Sequence, residues 1–361
     1  MIEETMDITK EFGQQKLFGS AYEKEPEKLA ERFVVPPFSV LDAKQGYWQN
    51  RKRAWISLGI SGEEGRNGGG RCFGQDLIKG ENPNFAQKKG YGLASKHNKN
   101  LNESTQKALG CYAATHGAVQ DRAGGQVGTS IFDPVLCELS YKWFCPPCGA
   151  ILDPFAGEST KGIVATYLGF DYTGIELRKE QVEANYSQVQ KINNGNRKKL
   201  NPLWFCGDSI EISKLLENQR SKYDMIFTSP PYYDLEIYSQ SEKDGSAFET
   251  YDKFMRWYKD VFSEALSFLS EDRFLVIKVG EIRNKGGVYR NFVGDNIQCF
   301  IDLGLNYYNE IILLTSIGSL PVRVGKTFHN WRKIGKAHQN ILVFFKGNPK
   351  NIKGLFNNEN T

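Results

Sequence analysis

The stretch AILDPFAGESTKGIVATYLGFDYTGIEL, residues 150–177, decides how the rest of the chain is read. AILD (150–153) has the length and continuous apolarity of a buried strand. It runs into a proline- and glycine-containing turn, and STKGIVATYLGF then places apolar residues at helical spacing. DYTGIEL (171–177) reads as a second strand. Strand, tight turn, helix and strand make one right-handed crossover unit, and that unit predicts a parallel sheet covered by helices.

The same alternation continues toward the C-terminus. RKEQVEANYSQVQKI predicts an amphipathic helix and PLWFC (202–206) a third strand. SIEISKLLENQ predicts a helix and YDMIFTS (223–229) a fourth strand. A longer helix is expected near 249–270, a strand at RFLVIKVG (273–280), and a helix at NFVGDNIQCFIDLG. NEIILLT (309–315) and NILVFFK (340–346) read as two closing strands that pair antiparallel. The expected fold class is α/β, a mostly parallel seven-stranded sheet with an antiparallel closing pair. In such sheets ligands sit outside the carboxyl ends of the strands.

Toward the N-terminus the pattern weakens. Residues 61–130 are rich in Gly, Asn, Ser and Lys, with GRNGGGR and RAGGQVG as markers, and read as a flexible segment. Residues 1–60 read as an N-terminal extension, 131–350 as the main domain and 351–361 as a tail. A hydrophobic share of 40% and a charged share of 24% are those of a soluble globular protein. No apolar run is long enough to span a bilayer, so no membrane partner is expected and the chain is placed in the cytoplasm. Seven cysteines at irregular spacing do not outline a disulfide framework. The Cys145–Cys148 CPPC pair lacks a second CxxC, so no metal is expected. Net charge is only +4, but between Glu310 and Glu359 there is no acidic residue, while eight lysines and arginines fall there. A one-sign stretch of this kind neutralises phosphates or forms a solvated face.

The chemistry is carried by strand ends. Asp153, Phe155 and Gly157 lie in the turn after the first strand. Glu176 ends the second, about 20 residues after the glycine turn, where a carboxylate accepts hydrogen bonds from ribose hydroxyls. Asp208 follows the third, either as an N-cap or as a partner for an adenine amine. The fourth ends in Ser229-Pro230-Pro231-Tyr232. The two prolines hold an extended backbone. The Ser229 side chain and the Pro230 carbonyl are then two acceptors for the protons of an –NH₂ group, and Tyr232 offers a face on which an extruded base can lie.

DPFAG followed by IE, GDS and SPPY resembles the DNA amino-methyltransferases, the N4-cytosine and N6-adenine enzymes, most of all those of phages and mobile elements. VVPPFSVLDAKQGYWQ, SIFDPVLCELSYKWFCPP, GSLPVRVGK and GKAHQNILVFFKG are similar to stretches of the same group, so the likeness covers most of residues 34–350. The resemblance implies a Rossmann-like methyltransferase fold, S-adenosylmethionine as cofactor and double-stranded DNA as partner, in a prokaryotic cell and close to its nucleoid. It assigns Phe132, Asp133, Asp153, Phe155 and Gly157 to the methionine part of the cofactor, Glu176 to its ribose and Asp208 to its adenine. It assigns Ser229, Pro230, Pro231 and Tyr232 to catalysis. Target recognition is expected in the basic insertion near 316–340, through Arg323, Lys326, Arg332, Lys333 and Lys336. Serine in the first motif position favours cytosine N4 over adenine N6. The alternatives are a DNA-binding homologue without turnover, and methylation of RNA or of a protein amide. Two departures stand out: Glu158 where the family has a small residue, expected either to repel the cofactor carboxylate or to point to solvent, and Cys148 where glycine is common.

Overall fold

The computed structural model describes residues 33–61, 131–195, 198–233, 248–315, 317 and 320–356, with the backbone alone at Val322 and Arg323. The Gly/Asn-rich segment expected to be flexible falls almost wholly outside the described residues.

Among the described residues eight strands form one sheet: β1 (Val40–Asp42), β2 (Ala150–Asp153), β3 (Asp171–Glu176), β4 (Leu203–Cys206), β5 (Tyr223–Thr228), β6 (Leu269–Val279), β7 (Asn306–Leu314) and β8 (His338–Lys346). Their order is β1-β7-β8-β6-β5-β2-β3-β4. All pairings are parallel except those of β8, which runs antiparallel between β6 and β7. The seven expected strands are thus present, with the closing pair antiparallel. The eighth, β1, adds three residues to the edge of β7, so the stretch read as an N-terminal extension supplies part of the sheet.

Side chains alternate across the central strands, and both faces are covered. Phe227, Phe274, Val276, Val343 and Phe345 point into one apolar layer. Ile226, Leu275, Ile277, Leu342 and Phe344 point into the other. Burial on both faces is why these strands read as unbroken apolar runs. The first face is covered by α1 (Gly46–Ser57), α2 (Pro134–Phe144), α3 (Thr160–Leu168) and α4 (Lys179–Gly195). The second is covered by the short α5 (Ile212–Leu215), by α6 (Tyr251–Ser267) and by α7 (Phe292–Asp302).

Helix boundaries follow local chemistry. Asp133 caps α2 by accepting from Val135 N at 3.0 Å, and Pro134 takes the first helical position, where its missing N–H costs nothing. Thr250 caps α6 through Lys253 N. Gly169 closes α3 at φ 92°, a left-handed angle that glycine adopts without a Cβ clash. Cys148 stands at φ 57°, which explains why glycine is the residue expected there.

α1 is latched onto α2 by two carboxylates. Arg51 forks onto Glu138, which also accepts from Trp55 Nε1 at 2.9 Å. Asp133 accepts from Trp48 Nε1 and from Lys52 Nζ, both at 3.2 Å.

The basic insertion is not a loop throughout: Leu320–Trp331 form a helix, α8, between β7 and β8. The insertion ends where His338 begins β8. Among the described residues no helix is long and apolar enough to cross a membrane.

Candidate active site

The chain passes from β2 outward to β3 and β4, then returns to β5 on the other side of β2. The carboxyl ends of these four parallel strands carry Asp153, Glu176, Asp208 and Thr228-Ser229. The connection reverses direction between β2 and β5, where a parallel sheet opens a crevice for a ligand. Thr228 Oγ1 donates to Asp153 Oδ1 across that point at 2.6 Å, tying the proline motif to the glycine turn.

Asp153 is fully buried, and its carboxylate is engaged on all sides. It pairs with Lys161 Nζ at 2.6 Å and accepts from the Tyr172 hydroxyl at 2.8 Å and Phe155 N at 3.1 Å. Lys161, also buried, donates in addition to the Phe155 carbonyl at 2.9 Å. Asp153 therefore sets the shape of the turn, whereas the sequence places it against a ligand. Burial, with the neighbouring Asp153 second, pushes the Tyr172 hydroxyl pKa well up, so it stays a donor.

Gly157 sits at φ 57°, and a Cβ built there would meet nothing within 4 Å, so the turn faces open space. Its N–H donates to Glu176 Oε2 at 3.0 Å and its carbonyl accepts from Asn185. Glu176 also accepts from Arg178 N and pairs with the Arg178 guanidinium at 3.4 Å. Burial raises its pKa, against those hydrogen bonds and the arginine. Asp208 is buried and caps the turn Ser209–Glu211 through Ile210 N, which engages one of its oxygens. Ser209 donates to the Pro154 carbonyl and so fixes β4's exit against the first turn.

Glu158 does not point to solvent. It is buried and accepts from Phe132 N at 3.2 Å, Thr160 N at 2.8 Å and Thr160 Oγ1 at 2.7 Å. It thereby joins the Phe132–Asp133 segment to the start of α3. Burial raises its pKa. Phe132 lies edge-on to Phe227 at 5.8 Å, with Lys278 Nζ 4.5 Å from its ring centroid. Asp133 is the α2 cap described above, and Phe155 packs on Trp257 and Phe262.

In the proline motif, Ser229 Oγ donates to the Lys278 carbonyl at 3.2 Å. A hydroxyl whose proton is spent in this way presents its lone pairs elsewhere. Pro230 is buried and Pro231 half-buried. Tyr232 is only 6% exposed and its ring packs on Phe292, 5.6 Å away, so the platform expected from the sequence lies in the core layer. Beside it Tyr233, at φ 22°, carries the Arg290 guanidinium 4.9 Å above its ring. Tyr233, Phe248, Glu249, Asn284, Lys285 and Arg290 line a cavity of about 500 Å³ at the motif's exit.

Of the residues assigned to DNA, Lys326 and Arg332 are exposed, and Lys333 and Lys336 are half-buried. Nothing is described of the Arg323 side chain. Lys336 comes nearest the motif: a Cβ on Gly280 would lie 3.8 Å from its Nζ and 3.7 Å from the Tyr232 hydroxyl. Sequence reasoning missed Lys161, Tyr172 and Thr228. A lysine in the first turn of an apolar helix was the available signal, because such a residue is buried only with a partner.

Comparison with curated proteins finds no match. Among solved structures, TrmN from Thermus thermophilus shares 13% identity over 60% of this chain and 49% of its own, at a TM-score of 0.37. The chain thus spans about half the length of that protein. Magnesium protoporphyrin IX methyltransferase from Synechocystis PCC 6803, crystallised with SAH, shares 12% over 67% and 94%, at 0.39. A DNA modification methylase, also from Thermus thermophilus, shares 22% over 39% and 51%, at 0.29. These are remote likenesses, and no residue role is taken from them. The sequence match is more specific: the model of the N6/N4 methyltransferase family, described as DNA methylase, covers residues 223–360. That match begins with β5, the strand that carries the proline motif, and runs past β8, so over this part the chain is similar to that family.

Proposed function

We propose that the chain transfers a methyl group from S-adenosylmethionine to the exocyclic amine of a base extruded from double-stranded DNA, with cytosine N4 favoured over adenine N6. The observation that carries this reading is the Ser229 hydroxyl: its proton is directed to Lys278 O, and it stands one residue after the Thr228–Asp153 bond at the switch point.

The residues present fit the cofactor. Gly157 leaves space where a side chain would intrude, and Glu176 and Asp208 place carboxylates at the next two strand ends. When bound, the cofactor supplies an electrophilic methyl on a sulfonium. Glu176, already fixed by Gly157 N and Arg178, accepts from ribose hydroxyls. Asp208 accepts from the adenine amine with the oxygen that Ile210 N leaves unused. Asp153 and Lys161 shape the turn from within. Glu158 holds Phe132 N, and Phe132 would line the methionine end.

Ser229 Oγ and the Pro230 carbonyl would accept hydrogen bonds from the two amine N–H groups and so orient the nitrogen lone pair toward the methyl. The N–C bond forms as the S–C bond breaks to leave a neutral thioether, and the one proton lost from nitrogen passes to solvent. Positioning and fixed dipoles of this kind can supply much of a rate enhancement. The cavity at the motif's exit is large enough for a base, since ligand sites commonly span about 300–1,000 Å³. Arg323, Lys326, Arg332, Lys333 and Lys336 contact phosphates on the side of β8.

The test is transfer of labelled methyl groups from S-adenosylmethionine to unmethylated DNA. The wild type transfers; Ser229→Ala loses at least about 100-fold in kcat, the scale of removing one preorganised polar contact, while cofactor affinity holds. Full activity in Ser229→Ala would refute the mechanism.

A further inference from the structure

Lys336 stands beside the Gly280 backbone, as does Tyr232, and from Lys336 a groove of about 400 Å³ runs away from the proline motif. Arg283, Tyr289, Arg332, Ile334, Lys336 and His338 line it, together with the small residues Gly335 and Ala337. Its lining holds three cations and no carboxylate. The Arg283 guanidinium lies 3.8 Å over the Tyr289 ring and is held by a 2.8 Å bond to the Gly287 carbonyl, while 44% of Tyr289 remains exposed. Ile334 of the lining is 74% exposed, and Trp331, one residue before the lining Arg332, is 70% exposed, with Lys333 Nζ 5.9 Å from its ring.

Flat apolar groups interleaved with cations ask for a ligand that is itself flat and anionic by turns. A second copy of the chain would bring the same cations against these. An acidic peptide would satisfy the charge but leave Tyr289 and Trp331 without partners. A nucleic-acid strand offers both, since every base has a stacking face and every phosphate a negative charge.

We propose that this groove seats the DNA nucleotide next to the extruded base, its base stacked on the Tyr289–Arg283 pair and its phosphates held by Arg332 and Lys336. The proposal rests on the reading that the chain methylates DNA, and extends it to Arg283 and Tyr289, which lie before α7 and outside the basic insertion. The short path from Lys336 to Tyr232 around Gly280 makes the seat contiguous with the catalytic corner.

The experiment measures binding of the full chain to a fluorescein-labelled mixed-sequence DNA duplex at several salt concentrations, with methyl transfer assayed in parallel. Tyr289→Ala should weaken binding about 5- to 150-fold with the salt slope unchanged, because stacking releases no counterions. Tyr289→Phe should retain affinity, which separates stacking from a folding defect. Lys336→Ala should reduce the salt slope by about one unit. Binding by Tyr289→Ala equal to wild type, beside a wild type that methylates DNA, would overturn the seat and leave the enzymatic reading standing. Loss of a dimer in Tyr289→Ala with DNA affinity intact would overturn it in favour of a self-interface. A wild type that transfers no methyl to DNA would instead overturn the underlying reading.

Discussion

Replacing Lys161 by methionine removes the cation paired with a carboxylate that is fully buried. In the wild type, Asp153 faces Lys161 Nζ at 2.6 Å and three neutral donors, those of Tyr172, Thr228 and Phe155. After Lys161→Met the neutral donors remain, but an uncompensated charge is left in a site closed to water. Breaking a buried ion pair from one side costs roughly 3–5 kcal/mol, in contrast to the near-zero value of an exposed pair. For a chain of this size, at about 2.1 cal/mol/K of unfolding entropy per residue, that corresponds to roughly 4–7 °C in Tm. Asp153→Asn alone should also destabilise, because it takes from Lys161 its paired carboxylate and leaves the Phe155 carbonyl, the Phe132 ring and the less direct charges of Glu158 and Glu176. The double variant Lys161→Met/Asp153→Asn buries no net charge and should recover part of the loss, with a coupling energy of about 1–3 kcal/mol. Urea denaturation of all four proteins, followed by far-UV circular dichroism, measures the cycle. A Lys161→Met penalty below about 1 kcal/mol, or strict additivity in the double variant, would refute the view that this pair is the turn's internal support.

Glu158→Gln removes a buried charge but keeps only one of two accepting oxygens, so it serves Thr160 or Phe132 N and not both. Stability at pH 7 should fall by no more than about 1–3 kcal/mol, the cost of one unsatisfied buried donor. Burial raises the folded-state pKa of Glu158. Its contribution is therefore fully present below the ordinary carboxylate pKa, about 4.3, and is lost as pH rises through the raised value. Urea titrations across that window should show the wild type losing stability relative to Glu158→Gln as pH increases; the opposite trend would contradict the burial argument. Cys148→Gly relieves a left-handed backbone at φ 57° and should stabilise the chain by up to about 1 kcal/mol, read as a higher urea midpoint.

Much of the fold was legible because the sheet is covered on both faces. Runs such as FLVIKV and ILVFF are apolar in every register, and the turns between them carry Gly, Pro and Asp. The helices that escaped detection lack that contrast. α2 is buried almost throughout, so its sequence shows no polar face. α1 buries only Trp48 and Trp55 in an otherwise polar stretch. α8 begins at Leu320-Pro321, a start signal, but its valines and Gly325 weaken helical propensity. β1 is three residues long, below what periodicity can resolve.

The site was legible at the level of strand ends and not of partners. That Asp153, Glu176, Asp208 and Ser229 share one edge follows from four parallel strands in order. That Asp153 is consumed by Lys161 and Tyr172 depends on two side chains meeting inside the fold, which no spacing reveals. Glu158 was misread for the same reason: its hydrogen bonds go to Phe132 N and to Thr160, and the first of these lies 26 residues away. Tyr232, read as a face for an extruded base, packs on Phe292 of α7, a contact between distant segments that the sequence does not show.

The central claim is that a fixed serine–proline corner beside the cofactor turn drives methylation of a base amine by geometry. Its most direct measurement is mass spectrometry of nucleosides from the DNA of a methylation-free host expressing the chain or its Ser229→Ala variant. The account predicts N4-methylcytosine with the wild type and its disappearance with Ser229→Ala. DNA free of any methylated amine in wild-type cells, or modification undiminished by Ser229→Ala, would contradict it.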